Sequence, residues 1–216
     1  MTRFLKLSSC LLFVVLLGAC SPYRHLTFHT DATESAMKYK PVFDKKLYRC
    51  VVDGHFLFKK FHLSGLLFFK KLEDKSTRVV FQNEMGFAFF DFEWDKNDSF
   101  KVNQIIPQLD KPALVKTLQK DLSIVLFKDL DKSSEVVAEA YGNVYNRFSL
   151  VKGFAYYISK HNTLQRIENT GKRKRVTTIT MDGNETVSSL PDTVLFNHHR
   201  AHFTIQLNKI TPHADE

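Results

Sequence analysis

From Leu47 onward, apolar and polar positions alternate in short runs separated by turn residues. Leu47–Val52, Phe56–Phe61, Leu66–Leu72, Arg78–Asn83, Phe87–Trp94 and Phe100–Ile105 each have the length and texture of a strand. Asp53-Gly54, Ser64-Gly65, Glu73-Asp74-Lys75, Met85-Gly86 and Asp95-Lys96-Asn97-Asp98 punctuate them. Strands broken by turn signals at this spacing predict an antiparallel meander. Successive side chains of a strand point to opposite sides of a sheet. In the fifth run, therefore, Ala88, Phe90, Phe92 and Trp94 share one face, and Phe87, Phe89, Asp91 and Glu93 share the other. One wholly apolar face, and one that turns acidic partway along, suit a curved sheet with an apolar concave side. Asp91 and Glu93 are then expected at a solvated strand end.

The period changes after Asp110. Leu114, Val115, Leu118, Leu122, Val125 and Leu126 recur at helical spacing, with Lys116, Gln119 and Lys120 opposite. Asp110 is the expected N-cap, and Pro112 falls in the first turn, where a missing N–H costs little. This predicts a helix over 111–127 whose apolar stripe needs a partner, and the apolar face of the sheet is the obvious one. Strand texture returns after Asp131: Val136–Tyr141, Val144–Leu150, Phe154–Ser159, Leu164–Asn169, Val176–Met181, Thr193–His199 and His202–Ile210, with Thr170-Gly171 and Asp182-Gly183 as hairpin turns. The expectation is one mainly β (α+β) domain over 41–216. It would be a strongly curved antiparallel sheet, or incomplete β-barrel, of about 11–13 strands, with a covering helix near 111–127 inserted between its two halves.

The first forty residues have another character. Arg3 and Lys6 precede an apolar run, Leu7–Leu17, broken only by Ser8 and Ser9, and small Gly18 and Ala19 follow. That order is a secretory signal, and the run is too short to span a bilayer. Leu17-Gly18-Ala19-Cys20 resembles the lipobox of bacterial lipoproteins. The resemblance implies diacylglyceryl transfer to the Cys20 sulfur, cleavage after residue 19 and N-acylation of the new amino terminus. Residues 1–19 are then a lipoprotein signal peptide, and 20–40 the lipidated cysteine with a polar, irregular tether, ending in a short helical turn between Glu34 and Tyr39. Ser21 rather than an aspartate follows the cysteine, which resembles lipoproteins exported to the outer membrane. The expected location is the cell envelope of a Gram-negative bacterium, on the outer membrane and facing the periplasm.

Charge and composition narrow the choice of function. With Arg3 and Lys6 removed in the signal, 29 basic residues face 23 acidic ones. That moderate excess suits an anionic membrane surface or simple solubility, and an exported protein has little occasion to meet nucleic acid. Only Cys50 remains after Cys10 and Cys20 are accounted for, so no internal disulfide is expected and Cys50 reads as a small buried apolar residue. Twenty phenylalanines are available for a core. The clustered His198, His199 and His202, and the separate His55 and His62, read as solvated hairpin residues rather than three convergent metal ligands. Lys172-Arg173-Lys174-Arg175 is either a contact for lipid headgroups or a charged hairpin tip that discourages edge pairing. No nucleophile motif, metalloprotease helix or phosphate loop is present, so an enzyme is not expected, nor a cofactor or a metal.

A lipobox followed by a long antiparallel meander with a helical insertion resembles proteins of the LolA/LolB type. The run from Phe68 to Leu72 and that from Arg78 to Phe92, aromatic strands about a Gly turn, are similar to LolB-like lipoproteins. The resemblance implies an incomplete barrel whose mouth is plugged by helix and whose apolar cavity binds acyl chains. Candidate cavity walls are Phe90, Phe92, Trp94, Leu118, Leu122, Val125 and Phe203. The expected protein is a monomer, membrane-anchored through Cys20, that shelters acyl chains or another apolar ligand. The alternative is a non-catalytic interaction or scaffold module on the same tether, with a packed core and no ligand.

Overall fold

The computed structural model describes residues 22–30, 35–56, 59–171, 174–183 and 190–211. The first half of the domain supplies β1 (Lys45–Phe56), β2 (Lys59–Lys71), β3 (Thr77–Gln82), β4 (Ala88–Trp94) and β5 (Phe100–Ile105). Helix α1 (Pro112–Val125) follows. The second half supplies β6 (Glu135–Ala140), β7 (Asn143–Ser149), β8 (Phe154–Lys160), β9 (Thr163–Thr170), β10 (Arg175–Asp182), β11 (Thr193–His198) and β12 (Phe203–Lys209).

These twelve strands form one antiparallel sheet in the order β5-β4-β3-β2-β1-β12-β11-β10-β9-β8-β7-β6. Each half is a plain meander, and the halves join where β1 pairs with β12, from Tyr48 opposite Lys209 to Gly54 opposite Phe203. The two free edges, β5 and β6, are therefore consecutive in the chain, and α1 lies between them. The sheet stays open as an incomplete barrel, and the helix is the segment that must cross the gap.

The helix buries Leu118, Leu122, Ile124 and Val125 and leaves Lys111, Pro112, Ala113 and Lys116 exposed. Its N-cap is Lys111, which makes no side-chain capping bond; the start is set by Pro112 rather than by the expected Asp110 cap. The core gathers the inward positions of the sheet around the helix, among them Tyr48, Phe69, Val79, Phe92, Trp94, Tyr157, Ile179 and Phe196.

Two pairs expected to be turns lie inside strands. Gly54 sits in β1 opposite both Phe61 and Phe203, and Gly65 sits in β2 opposite Cys50. The runs expected as two strands, 56–61 and 66–72, belong mostly to the single long β2. The glycines are there for space: a Cβ on Gly65 would lie 2.2 Å from the Gln82 carbonyl oxygen, and one on Gly54 would lie 2.4 Å from the Phe61 ring. Glycine within a strand marks close approach as readily as a turn, and only the neighbouring strand tells the two apart.

Asp91, expected at a solvated end, is only 6 % exposed. Arg78 Nε donates to its Oδ1 at 2.8 Å, and a second guanidinium nitrogen bonds its Oδ2. Arg78 on β3 stands opposite Glu93, diagonally across from Asp91 on β4, a spacing that long side chains bridge.

The segment expected as a loose tether is packed where it is described. Tyr23, Leu26 and Phe28 pack on Ala138, Tyr145, Tyr156 and Ile158. Tyr156 faces this cluster while neighbouring Tyr157 faces the main core, so β8 is buried on both sides. Tyr23 stacks on Tyr156 with centroids 3.9 Å apart, and its hydroxyl bonds Glu168. His29 exchanges two backbone hydrogen bonds with Val137, at 2.8 and 2.9 Å. Three apolar side chains in nine residues outweigh a polar composition. The chain then makes a 3-10 turn, Ala36–Tyr39, whose first N–H is taken by Glu135 at 2.7 Å.

Cys50 is 2 % exposed between β2 and β12, and burial pushes its thiol up to about 12. The thiolate is the reactive form. In the folded protein at pH 8 a thiol reagent should therefore leave Cys50 unlabelled for hours, and urea should restore labelling in step with unfolding. Rapid labelling in native buffer would mean that the β1–β12 seam opens freely.

Candidate functional site

Three buried side chains from three distant strands hold the helix across the open sheet. Trp94 of β4 donates from Nε1 to Ser123 Oγ at 2.9 Å. Tyr157 of β8 donates from its hydroxyl to the Ile124 carbonyl at 2.7 Å, and complete burial holds that phenol well above its ordinary range. His198 of β11 places Nε2 2.6 Å from Asp121 Oδ2. Positions 121, 123 and 124 thus receive one tie each, within a single turn of α1.

Ile124 and Val125, at the helix C-terminus, are fully buried. Space remains along the helix from Leu114 to Leu122. A cavity of about 130 Å³ lies between Leu114, Leu118, Asp121 and Leu122 of α1 and the sheet residues Cys50, Val52, Leu67, Phe81, Phe90, Phe196 and Ile205. Phe61 and Phe203 line the cavity and also an open depression beside it. They are the two residues that flank Gly54 across the ladder. A bare glycine lets both rings draw over the same point, at the border between the cavity and the depression.

The depression outside carries Asp53, His55, Lys60, His62, His198 and His202. His62 Nδ1 lies 2.7 Å from Asp53 Oδ1, and the His55 and His202 rings stack with centroids 5.3 Å apart. Among the described residues no three His, Cys, Asp or Glu side chains are grouped to hold a metal ion.

Proton counting defines the Asp121–His198 pair. His198 Nδ1 is 3.3 Å from the Phe203 carbonyl oxygen, which can only accept, so Nδ1 carries a hydrogen. The Nε2···Oδ2 contact needs a hydrogen of its own, whether the pair is imidazolium with carboxylate or imidazole with carboxylic acid. In both forms the pair is neutral overall and Asp121 Oδ1 remains an acceptor. Both side chains are 2 % exposed.

No family model matches the chain, and no curated protein does. Solved structures do. A LolA superfamily protein from Nitrosomonas europaea superposes with a TM-score of 0.53 over 82 % of this chain and 89 % of its own, at 6 % identity. A domain assigned to outer membrane lipoprotein sorting, from Vibrio parahaemolyticus, gives 0.51 over 84 % and 90 %, at 8 % identity. The domain has a LolA-like fold. At such identities the likeness is one of backbone architecture: the open antiparallel sheet with helix laid in its mouth.

Of the wall residues expected from sequence, Phe90, Leu118, Leu122 and Phe203 line the cavity of this LolA-like domain. Phe92, Trp94 and Val125 do not; they are 0, 1 and 2 % exposed in the solid core beyond it. Phe90 and Phe92 stack at 4.3 Å, and Trp94 is fixed by Ser123, so the strand passes from cavity to core between Phe90 and Phe92. Periodicity shows which face a side chain takes but not how far the filled core extends. Cys50, Val52, Phe61, Phe196 and Ile205 escaped notice because they reach the cavity through the β1–β12 pairing, which joins the chain's two ends. Asp121 was hidden as a lone polar residue on an apolar stripe, and that break was the available signal. His198, expected in solvent, is buried because it is Asp121's partner. Of the basic run, Lys174 is exposed and Arg175 Nε lies 2.9 Å from Glu168, so Arg175 serves the Tyr23–Glu168 cluster rather than a free tip. Lys172 and Arg173 lie outside the described residues, as does Cys20.

The boundary between cavity and core predicts unequal costs. Phe92→Ala should destabilise by about 3–5 kcal/mol, and Leu118→Ala, whose side chain already borders empty space, by about 2 kcal/mol. Urea melts of the two variants measure the difference. Equal losses would mean that the two sites are equally packed.

Proposed function

We propose that this protein is a lipid-anchored, non-catalytic carrier that shelters an acyl chain, or an apolar chain like it, under α1. The observation that supports it is the cavity of about 130 Å³ between helix and sheet. An apolar void of about 150 Å³ is enough to admit benzene, so as it stands the space fits the end of one chain. A longer stretch needs α1 to lift, and each methylene taken in contributes about 0.8 kcal/mol. The fold likeness agrees with this reading, because one neighbour is assigned to outer membrane lipoprotein sorting.

Anchoring through Cys20 would keep the domain at the membrane. Tyr23 is docked on β8 and lies three positions after Cys20, so the acyl anchor would lie within roughly 11 Å of that face of the sheet. The expected site of action is the envelope of a Gram-negative cell, on the outer membrane and facing the periplasm. Cys20→Ala should abolish incorporation of labelled palmitate and leave unprocessed precursor. Palmitate labelling that survives the change would remove the anchor from this account.

A fluorescent long-chain fatty acid should bind saturably, one per chain. Leu114→Trp puts bulk into the cavity from a half-buried helix position and should weaken binding at least tenfold while moving the melting temperature little. Absence of saturable binding by the wild-type protein would leave a tethered interaction module.

A further inference from the structure

Strand alternation places the β7–β8, β9–β10 and β11–β12 turns at one end of the sheet. Each raises an exposed cation: Lys152, Lys174 and Arg200. None of the three turns contains Asp or Glu, and the turns at the opposite end of these strands, 141–142, 161–162 and 183–192, contain no Lys or Arg. Among the described residues Lys152, Lys174 and Arg200 form no ion pair. Behind the turns Glu168 is shared by Arg166 and Arg175, which leaves one further positive charge in excess. The β7–β8 turn also presents Val151, fully exposed. That turn is held: Lys120 of α1 donates to the Lys152 carbonyl at 2.9 Å, and a Cβ on Gly153 would lie 1.8 Å from the Thr170 carbonyl oxygen of β9. An exposed apolar side chain among unpaired cations suits a surface of anionic headgroups.

The start of the domain points to the same end. Tyr23 stacks on Tyr156, which lies two positions from the Phe154 start of β8 and four from its Lys160 end. Those distances are roughly 7 and 13 Å along a strand. The three positions from Tyr23 back to Cys20 reach roughly 11 Å, enough for the basic end and short of the other. We propose that the basic end of the sheet rests on the anionic bilayer that holds the anchor, with Val151 among the headgroups and Lys152, Lys174 and Arg200 on lipid phosphates. The proposal rests on acylation at Cys20 and adds to it the face that meets the membrane. The acyl chains supply attachment. The three cations stand two strands apart, about 10 Å from one to the next, so together they resist tilting and set the orientation.

Because Cys50 is buried, a single introduced cysteine takes a fluorophore selectively. The acylated protein, its lipid confirmed by mass, carries the label at Val151→Cys or, at the opposite end, at Tyr141→Cys, where the native side chain is 85 % exposed. Each is reconstituted into vesicles of phosphatidylcholine with phosphatidylglycerol and a lipid bearing a headgroup nitroxide. The label at 151 should be quenched about threefold more than that at 141. That excess should at least halve in vesicles without phosphatidylglycerol, and again when Lys152→Glu, Lys174→Glu and Arg200→Glu are combined. If the combined variant fails to fold, the comparison of lipids decides by itself. Equal quenching at the two positions in vesicle-bound protein overturns the proposal, leaves the anchor standing and frees the basic end for an acidic protein. An excess at 151 that ignores lipid charge overturns it as well. Mature protein that carries no acyl mass and does not float with vesicles removes the anchor and the proposal together.

Discussion

The structure depends on three polar ties that pass through an apolar core to reach one turn of helix. Trp94, Tyr157 and His198 come from β4, β8 and β11, which lie far apart in the sheet. Without the helix that they hold, the apolar face of the sheet would be uncovered. Burying an N–H, a hydroxyl and a ring nitrogen is costly unless each finds its partner, so the helix has one position at which all three are satisfied. Apolar contacts between α1 and the sheet supply attraction but little direction; the ties supply the register.

The same arrangement explains why the core is solid at one end and hollow at the other. All three ties fall at positions 121–124, in the C-terminal half of α1. Among the described residues the N-terminal half, with half-buried Leu114 and Val115, makes no side-chain hydrogen bond to the sheet. On the proposed carrier reading, an apolar chain would enter under this half, past the ring pair Phe61 and Phe203. The Asp121–His198 pair lies at the junction, so the innermost tie of the helix is also the polar group nearest the hollow.

On the face opposite the helix, the segment from Tyr23 to His29 covers strands that a simple meander would leave wet. Glu168 is buried there among Tyr23, Arg166 and Arg175, and burial together with that carboxylate pushes the Tyr23 phenol up. This cluster fastens the start of the domain to β8, β9 and β10. The segment expected as a flexible tether is thus part of the fold from Tyr23 onward.

Much of this protein was legible in its sequence. Alternation in runs such as 87–94 and 203–209, and the 3.6-residue period of Leu114, Leu118, Leu122 and Val125, reflect local geometry that each segment carries with it. The strands, the helix and their order followed from that, and so did the inward faces of Phe90, Leu118 and Phe203. What needed the tertiary structure was everything set by strands distant in sequence. Gly54 and Gly65 look like turn residues until β3 and β12 are laid beside them and leave no room for a Cβ. Asp91 and His198 look like solvent residues until Arg78 and Asp121 arrive to pair them. Tyr23, Leu26 and Phe28 look like part of a tether until β8 presents a second apolar face. In each case the deciding neighbour lies on another segment, and a chain's own periodicity holds no record of the distance between them.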